Sequence, residues 1–310
     1  MRTAFIFPGQ GAQKVGMGKS LAAASPVARE VFEEADSALG MRLSSLCFEG
    51  PEEELRLTAN TQPAILATSI AVLKAFKERG ATTDFVAGHS LGEYTALVAA
   101  GSLKFEDALR LVRQRGLFMQ EAVPEGEGAM AALLGCDIET VNSVCAEASE
   151  LGVCSPANIN TPGQSVIAGH KSAVERAVVL AKERGAKRAV MLAVSAPFHC
   201  ELMRPAAARL EPVLSEVEFL DLSVPLVTNV DARVIRSGGE ARDALLRQVA
   251  SPVLWSESVK RLLDEGVTRF VEMGPGKVLS GLVKQISREA QLLNIDDDQS
   301  LETAVAAFEM

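Results

Sequence analysis

The chain has 310 residues, of which 48% are apolar and 23% are charged, and its formal net charge is −9. A chain of this length buries roughly 75% of its unfolded surface, enough for one large domain or two modest ones. The acidic balance argues against a nucleic acid as the main partner, because proteins that bind one usually carry a clustered excess of lysine and arginine. No apolar run approaches the roughly 20 residues of a membrane span, so no membrane partner is expected.

The cysteines indicate a reducing compartment. There are five of them, an odd number without CxxC spacing, in a chain too large to need disulfides. The N-terminal segment MRTAFIFPGQ has too short an apolar stretch for a signal peptide. We therefore expect a cytoplasmic protein, and a monomer, since no large apolar surface is apparent.

Seven short apolar runs are typical of buried strands. They are Ala4 to Phe7, Phe85 to Gly88, Ala129 to Leu134, Ser165 to Ala168, Ala189 to Val194, Val224 to Val227 and Arg269 to Glu272. Stretches with helical spacing lie between most of them, for example Pro63 to Lys77, Phe105 to Ala122, Ala173 to Arg184 and Ser256 to Glu265. Alternating strands and helices predict an α/β fold with a parallel sheet.

The loop after the first strand, PGQGAQKVGMGKS, resembles a phosphate-binding loop but does not match one. A P-loop ending in Gly18-Lys19-Ser20 needs glycine where Gln13 stands, and a dinucleotide fingerprint begun at Gly9 needs glycine where Lys14 stands. A tight glycine loop here can instead bring backbone N–H groups beside an active serine.

The segment FVAGHSLGEYTALVAA contains G-x-S-x-G from Gly88 to Gly92, between a predicted strand and a predicted helix. At such an elbow a side chain at either glycine would clash with neighbouring backbone. The serine hydroxyl is then exposed at a helix N-terminus, where amide N–H groups stabilise an oxyanion. The alternative is a chance match in a glycine-rich loop, but the flanking elements favour Ser90 as a nucleophile.

In the helix from Phe105 to Ala122, Arg115 lies inside the apolar stripe. A buried arginine has to be paired, because an uncompensated buried charge costs several kcal/mol. The residues alone leave two alternatives open: an internal salt bridge to a Glu or Asp, and a site for a substrate carboxylate, which suits the guanidinium fork.

The segment from about Glu127 to Val194 has the order strand, helix, strand, Pro-Gly turn, strand, helix, strand. This βαββαβ order is typical of a ferredoxin-like subdomain. We expect it to be inserted, as residues 127–196, into a larger α/β domain formed by residues 1–126 and 197–310.

A serine hydroxyl needs a base, and the chain has three histidines. His89 lies inside the elbow with its side chain expected to point away from Ser90, and His170 is expected in a solvated turn. His199, where the chain returns from the insertion, is the base by elimination. The residues do not single out an acidic third member, and the candidates are Asp231, Glu257 and Glu272.

Several segments together resemble a known family, the malonyl-CoA:acyl carrier protein transacylases and the acyltransferase domains of polyketide and fatty-acid synthases. The likeness runs nearly end to end, and the family's fold is α/β-hydrolase-like with a small inserted subdomain. The segments are FPGQGAQ, GHSLGEYTALVAAG, RQRGLFMQEAVPEGEGAMAA, ANINTPGQSVIAG, SAPFHC, SPVLW and EMGPGKVL.

The resemblance implies a role for each matching residue. Ser90 matches the nucleophile that forms the malonyl ester, and His199 matches its base. The backbone carbonyl of Gln248 matches the group that orients the histidine, which would explain why no acid stands out. Arg115 matches the arginine that pairs with the malonyl carboxylate. The positions of the backbone N–H groups of the oxyanion hole are Gln10 and Leu91.

The resemblance also implies partners and selectivity. The acyl acceptor is an acyl carrier protein with a phosphopantetheine thiol, and no metal or redox cofactor is required. Phe198 resembles the phenylalanine of malonyl-selective domains, although some relatives carry serine there. Carrier proteins of this kind are acidic, so a basic patch is expected to dock them, and the candidate residues are Lys182, Arg184, Lys187 and Arg188.

Two other functional classes are compatible with the sequence. An esterase or thioesterase would use the same serine and histidine but would release the acyl group to water and would not need Arg115. A non-catalytic carrier-docking module would keep the fold and lose Ser90 or His199.

Overall fold

The computed structural model describes residues 1–194 and 196–308, and these form two β-sheets with helices packed against them. The strands are β1 (Arg2–Phe7), β2 (Phe85–Gly88), β3 (Gly128–Leu134), β4 (Cys154–Thr161), β5 (Gln164–His170), β6 (Arg188–Met191), β7 (Leu226–Val227), β8 (Val234–Ile235), β9 (Val267–Met273) and β10 (Gln291–Ile295).

The α-helices are α1 (Lys19–Ala24), α2 (Pro26–Leu39), α3 (Leu43–Glu49), α4 (Glu52–Leu55), α5 (Thr58–Glu78), α6 (Leu91–Ala99), α7 (Phe105–Glu121), α8 (Ile138–Ala148), α9 (Lys171–Glu183), α10 (Arg204–Glu216), α11 (Gly238–Gln248), α12 (Trp255–Asp264), α13 (Val278–Ile286) and α14 (Asp298–Phe308).

The larger sheet has the strand order β10-β9-β1-β2-β7-β8. Its strands pair in parallel except for β7 with β8, which are antiparallel. Side chains alternate between its faces, so that in β1 Phe5 and Phe7 enter one hydrophobic core while Ala4 and Ile6 enter another. A sheet buried on both faces accounts for the continuous apolar runs in the sequence, and the predicted α/β fold is confirmed.

The smaller sheet is antiparallel, with the strand order β4-β5-β3-β6. Counted within the segment this order is 2-3-1-4, and α8 and α9 cover one face through a separate core. The predicted ferredoxin-like order is therefore confirmed. These strands lie inside the predicted insertion, whereas its boundaries at 127 and 196 stay a prediction.

The segment between α11 and α12 pairs with β4 of the smaller sheet. Ile159 N donates to Val253 O at 2.9 Å, and Val253 N donates to Ala157 O at 2.9 Å. The segment between α11 and α12 thus continues the small sheet by one short parallel bridge. Asn158, at this bridge, lines the cleft that lies between the sheets.

Two element boundaries differ from the sequence prediction. The strand predicted to reach Val194 ends at Met191, and Leu192 and Val194 line the cleft with 37% and 38% of their surface exposed. The apolar run continues because the cleft wall is apolar. Helix α5 begins at Thr58 rather than at Pro63, because its first turns are buried against α7.

Among residues 1–194 and 196–308, no helix combines the length and the apolar character that crossing a membrane requires. The same residues contain no cluster of three or more side chains able to hold a metal ion. All five cysteines are buried free thiols, as the sequence analysis expects.

Candidate active site

Ser90 lies at the junction of β2 and α6 with a φ of 52° and a ψ of −104°, a conformation rarely adopted outside glycine. The glycines on either side make this turn possible. A Cβ on Gly88 would lie 1.9 Å from the backbone of Gly92, and one on Gly92 would lie 2.1 Å from Phe7 O. The elbow therefore packs tightly on the carboxyl end of β1, as the sequence predicts.

The Ser90 hydroxyl is in direct contact with a histidine. Ser90 Oγ lies 2.6 Å from His199 Nε2, and His199 Nδ1 lies 3.0 Å from the backbone oxygen of Gln248. Since a carbonyl only accepts, Nδ1 carries the proton and Nε2 is free to accept the serine proton. No acid from the sequence candidates Asp231, Glu257 and Glu272 contacts this imidazole among the described residues.

Burial sets the protonation state of the imidazole. His199 is 4% exposed and also has a positive φ, of 59°. Burial first, and then the positive charge of Arg115, lower its pKa from 6.5 to about 3. The ring is therefore neutral near pH 7, which is the state that a general base requires.

Arg115 extends from α7 to the same serine and is 1% exposed. Its Nη2 donates to Ser90 Oγ at 3.0 Å and to Gln248 Oε1 at 2.8 Å, and its Nη1 donates to Gln62 Oε1 at 2.8 Å. All three acceptors are uncharged, and no salt bridge to Arg115 forms within the described part of the chain. Of the two sequence alternatives, the internal salt bridge is wrong. Burial lowers the pKa of Arg115.

Two backbone N–H groups, one after β1 and one at the start of α6, have no acceptor among the described residues. Leu91 is the first residue of α6, and Gln10 follows the end of β1, the strand next to β2. Both residues line the same cleft as Ser90. The N–H of Ser90 itself is occupied, because it donates to Asn229 Oδ1 at 2.7 Å.

The cleft has a volume of about 700 Å³ and lies between the two sheets. Phe198 lines it beside His199 and is 8% exposed, so its ring restricts the space next to the base. Ser195, in the same SAPFHC segment, lies outside the described residues.

The remaining histidines do not reach the serine. His89 Nε2 lies 2.9 Å from Asn160 Oδ1 in β4, so its ring does point away from Ser90. His170 was expected in a solvated turn, and this is wrong: it is the last residue of β5, and its Nδ1 accepts a hydrogen bond from Val153 N at 2.9 Å.

Sequence reasoning missed three polar residues around the site. Gln62 holds Arg115. Asn229 accepts from Ser90 N and donates through Nδ2 to Gly88 O at 2.7 Å, so it braces the elbow. Glu93 is 1% exposed on α6, and burial raises its pKa to about 7. The only feature of the sequence that could have indicated these three residues is a charged or amide side chain within a mainly apolar segment.

A strained serine at a strand-to-helix turn, with a neutral imidazole at its hydroxyl and free N–H groups beside it, can attack a carbonyl and hold the acyl group as an ester. The fold and the site together define a serine-dependent acyl-transfer enzyme of the α/β class. The buried guanidinium of Arg115 contacts the same hydroxyl.

The comparisons with known proteins identify the family. Residues 4–305 match the family model described as acyl transferase domain, and the chain belongs to this family of acyltransferases. It is 54% identical over 305 residues to the malonyl CoA-acyl carrier protein transacylase of Bacillus subtilis (strain 168), covering 98% of this chain and 96% of that one.

Solved structures agree. One is a malonyl-transacylase in complex with its type II PKS acyl-carrier protein, with a TM-score of 0.97 and 48% identity over 99% of this chain and 100% of that one. Another is an acyl carrier protein S-malonyltransferase from Vibrio cholerae, with a TM-score of 0.96 and 47% identity over 98% and 100% of the two chains.

Proposed function

We propose that this enzyme transfers the malonyl group of malonyl-CoA to the phosphopantetheine thiol of an acyl carrier protein, in fatty-acid or polyketide synthesis. The observation that carries the proposal is that an imidazole and a guanidinium both contact the hydroxyl oxygen of Ser90. Ser90 Oγ lies 2.6 Å from a neutral imidazole and 3.0 Å from a buried guanidinium. A nucleophile paired with a carboxylate-binding group fits an acyl group that ends in a carboxylate.

In the first half-reaction Ser90 Oγ attacks the thioester carbonyl while His199 Nε2 takes its proton. The N–H groups of Gln10 and Leu91 hold the oxyanion, and each such donor typically contributes about 3 kcal/mol to transition-state stabilisation. The C–S bond then breaks, and CoA leaves as a thiol with the proton from His199. The product is a malonyl ester of Ser90, whose free carboxylate binds Arg115.

In the second half-reaction the phosphopantetheine thiol takes the place of CoA. His199 accepts the thiol proton, the sulfur attacks the ester carbonyl, and Ser90 leaves with the proton restored to it. The backbone carbonyl of Gln248 keeps His199 in the same tautomer through both steps. Neither step calls for a metal or redox cofactor.

Phe198 is proposed to favour malonyl over an α-methyl analogue, because its ring restricts the cleft beside His199. One methyl group in an apolar pocket is worth only about 1–3 kcal/mol, so the expected result is a preference and not full exclusion. The ratio of kcat/KM for malonyl-CoA and methylmalonyl-CoA measures it.

The test of the proposed function is intact-protein mass measurement after incubation with malonyl-CoA. We expect a stable malonyl adduct that is absent in Ser90→Ala and is discharged by a carrier protein. Turnover without an adduct or carrier dependence would instead indicate an esterase or thioesterase. Absence of both adduct and turnover would indicate a docking module.

The carrier protein is proposed to dock on the basic patch formed by Lys182, Arg184, Lys187 and Arg188. Arg184 also binds Glu147 and Ser143, whereas the other three have no ion pair among the described residues. Arg188 begins β6, whose far end leads into the cleft wall at Leu192, roughly 13 Å along the strand.

Lys187→Glu should therefore raise the KM for the carrier protein and leave self-acylation by malonyl-CoA unchanged. Lys260→Glu, an exposed change on α12, is the matched control for net charge. Equal losses in both half-reactions would show that the carrier protein does not dock on this patch. We further propose that the enzyme works as a monomer in the cytoplasm, in keeping with its five free thiols.

A further inference from the structure

No carboxylate in the described part of the chain contacts the buried guanidinium of Arg115, and the Tyr94 ring, 5.4 Å from its carbon, offsets only part of the positive charge. The guanidinium is 1% exposed, and its hydrogen-bond partners are uncharged oxygens of Gln62, Ser90 and Gln248. Its Nε has no partner among the described residues. Since an uncompensated buried charge is strongly destabilising, a negative charge is needed close by, outside direct contact.

Few carboxylates can supply that charge. Two are buried among the described residues, Glu93 and Glu272. Glu272 is used elsewhere, because its two oxygens accept the backbone N–H groups of Leu279 and Ser280 at the start of α13. Asp231 is already matched by the guanidinium of Arg247 at 2.7 Å. Glu93 is the remaining candidate.

Glu93 is connected to Arg115 through a single amide. Glu93 Oε2 accepts from Gln248 Nε2 at 2.7 Å and from Asn229 N at 3.2 Å. The other end of the same amide, Gln248 Oε1, accepts from Arg115 Nη2 at 2.8 Å. A carboxylate can only accept and a guanidinium can only donate, so these two charges fix the orientation of the amide.

We propose that Glu93 is a positioning residue that serves as the counter-charge of Arg115 through the side-chain amide of Gln248. Direct contact would occupy the guanidinium, whereas the indirect arrangement leaves it available to an incoming carboxylate. Burial raises the pKa of Glu93 to about 7 even though its two hydrogen bonds and the Arg115 charge lower it, so the experiment below is run at about pH 8 or above, where this carboxyl is mostly ionised. The inference rests on the proposed malonyl transfer and concerns the same site.

The proposal predicts the direction in which one equilibrium moves. Self-acylation converts free enzyme and malonyl-CoA into malonyl-enzyme and CoA: the serine C–O bond forms, the thioester C–S bond breaks, and the serine proton ends on the CoA thiol. The malonyl carboxylate brings a second negative charge to Arg115. Without the Glu93 charge, the free enzyme holds an unmatched cation that malonylation neutralises, so the equilibrium constant rises.

The experiment mixes each protein with malonyl-CoA and CoA at several ratios until the acylated fraction is constant, followed by acid quench and intact-mass measurement. Glu93→Gln keeps the size of the side chain and an acceptor oxygen but loses the charge. We expect its equilibrium constant to rise by about fivefold or more, the lower end of typical coupling between sites. Glu93→Leu serves the same purpose if the Gln variant does not fold.

Three controls separate a charge effect from a packing effect. Glu93→Asp keeps the charge and should stay within about twofold of the wild type. Glu272→Gln removes the other buried carboxylate and should leave the equilibrium constant unchanged. In an Arg115→Met background, Glu93→Gln should no longer raise it.

An equilibrium constant that is unchanged or lower in Glu93→Gln overturns the proposal, because a lost structural contact can only misplace Arg115 and weaken the malonyl ester. Failure of the wild type to form any adduct would overturn the proposed function itself. The two failures are therefore distinguishable.

Discussion

Replacing Arg115 tests the assignment of this guanidinium to the acyl carboxylate. Three of its five N–H groups donate to Gln62, Ser90 and Gln248, so two, including that of Nε, have no partner among the described residues and remain for a carboxylate at the ester. Charge-assisted hydrogen bonds contribute about 1.5–3 kcal/mol each, or about 3–6 kcal/mol for the pair. Arg115→Met should therefore lower kcat/KM for malonyl-CoA by roughly 10²- to 10⁴-fold.

The assay compares malonyl-CoA with acetyl-CoA in the same variant. Arg115 also binds Gln62 and Gln248, but those bonds are lost with either substrate and cancel in the ratio. Arg110→Met on the same helix is the control, because Arg110 is exposed and bonded to Asp107. Equal losses for the two substrates would refute the reasoning, since they would mean that Arg115 only supports the fold.

Two further predictions concern stability. Because the pKa of His199 is about 3 in the folded protein and ordinarily 6.5, the unfolded chain binds more protons between these values. The free energy of unfolding should therefore fall as the pH drops through this window, by up to about 1.4 kcal/mol per pH unit from this group. Urea unfolding of wild type and His199→Gln at several pH values measures this, and the same pH dependence in both proteins would contradict the prediction. Gly92→Ala, whose Cβ would lie 2.1 Å from Phe7 O, should cost about 3 kcal/mol or more by denaturant unfolding. Gly281→Ala, with open space around it in α13, should instead stabilise by about 0.5–1 kcal/mol, and similar midpoints for both would be evidence against the tight elbow.

Local patterns predicted most of the fold. Strand β2 and the elbow after it were predicted with the observed strand boundaries. A buried apolar run followed by a small polar residue between glycines is typical of a strand-to-helix elbow and of few other structures. The ferredoxin-like segment followed from element order alone. Helices α1, α3 and α4 and strand β10 were not predicted, since they are short or, like QLLNI, of mixed polarity. Helix α2, of 14 residues, was missed although its buried residues have helical spacing.

The site residues were predictable where a motif, a charge inside an apolar stripe or a rare residue type marked them, as for Ser90, Arg115 and His199. His199 could be found by elimination because the chain has three histidines. Glu93 could not, since it is one of 40 acidic residues in the chain, and neither could Asn229, since one sequence does not show which polar side chains are buried. Their function depends on a contact across 136 to 155 positions, which only the folded structure displays.

The backbone conformations of the serine and the histidine have a consequence for turnover. Both residues hold positive φ values, 52° and 59°, and each such position costs on the order of 1–3 kcal/mol. Packing of the hydrophobic cores on either side of the larger sheet offsets this strain when the chain folds. Neither group then has to reorganise when an acyl donor arrives, so each catalytic cycle begins from atoms already in place.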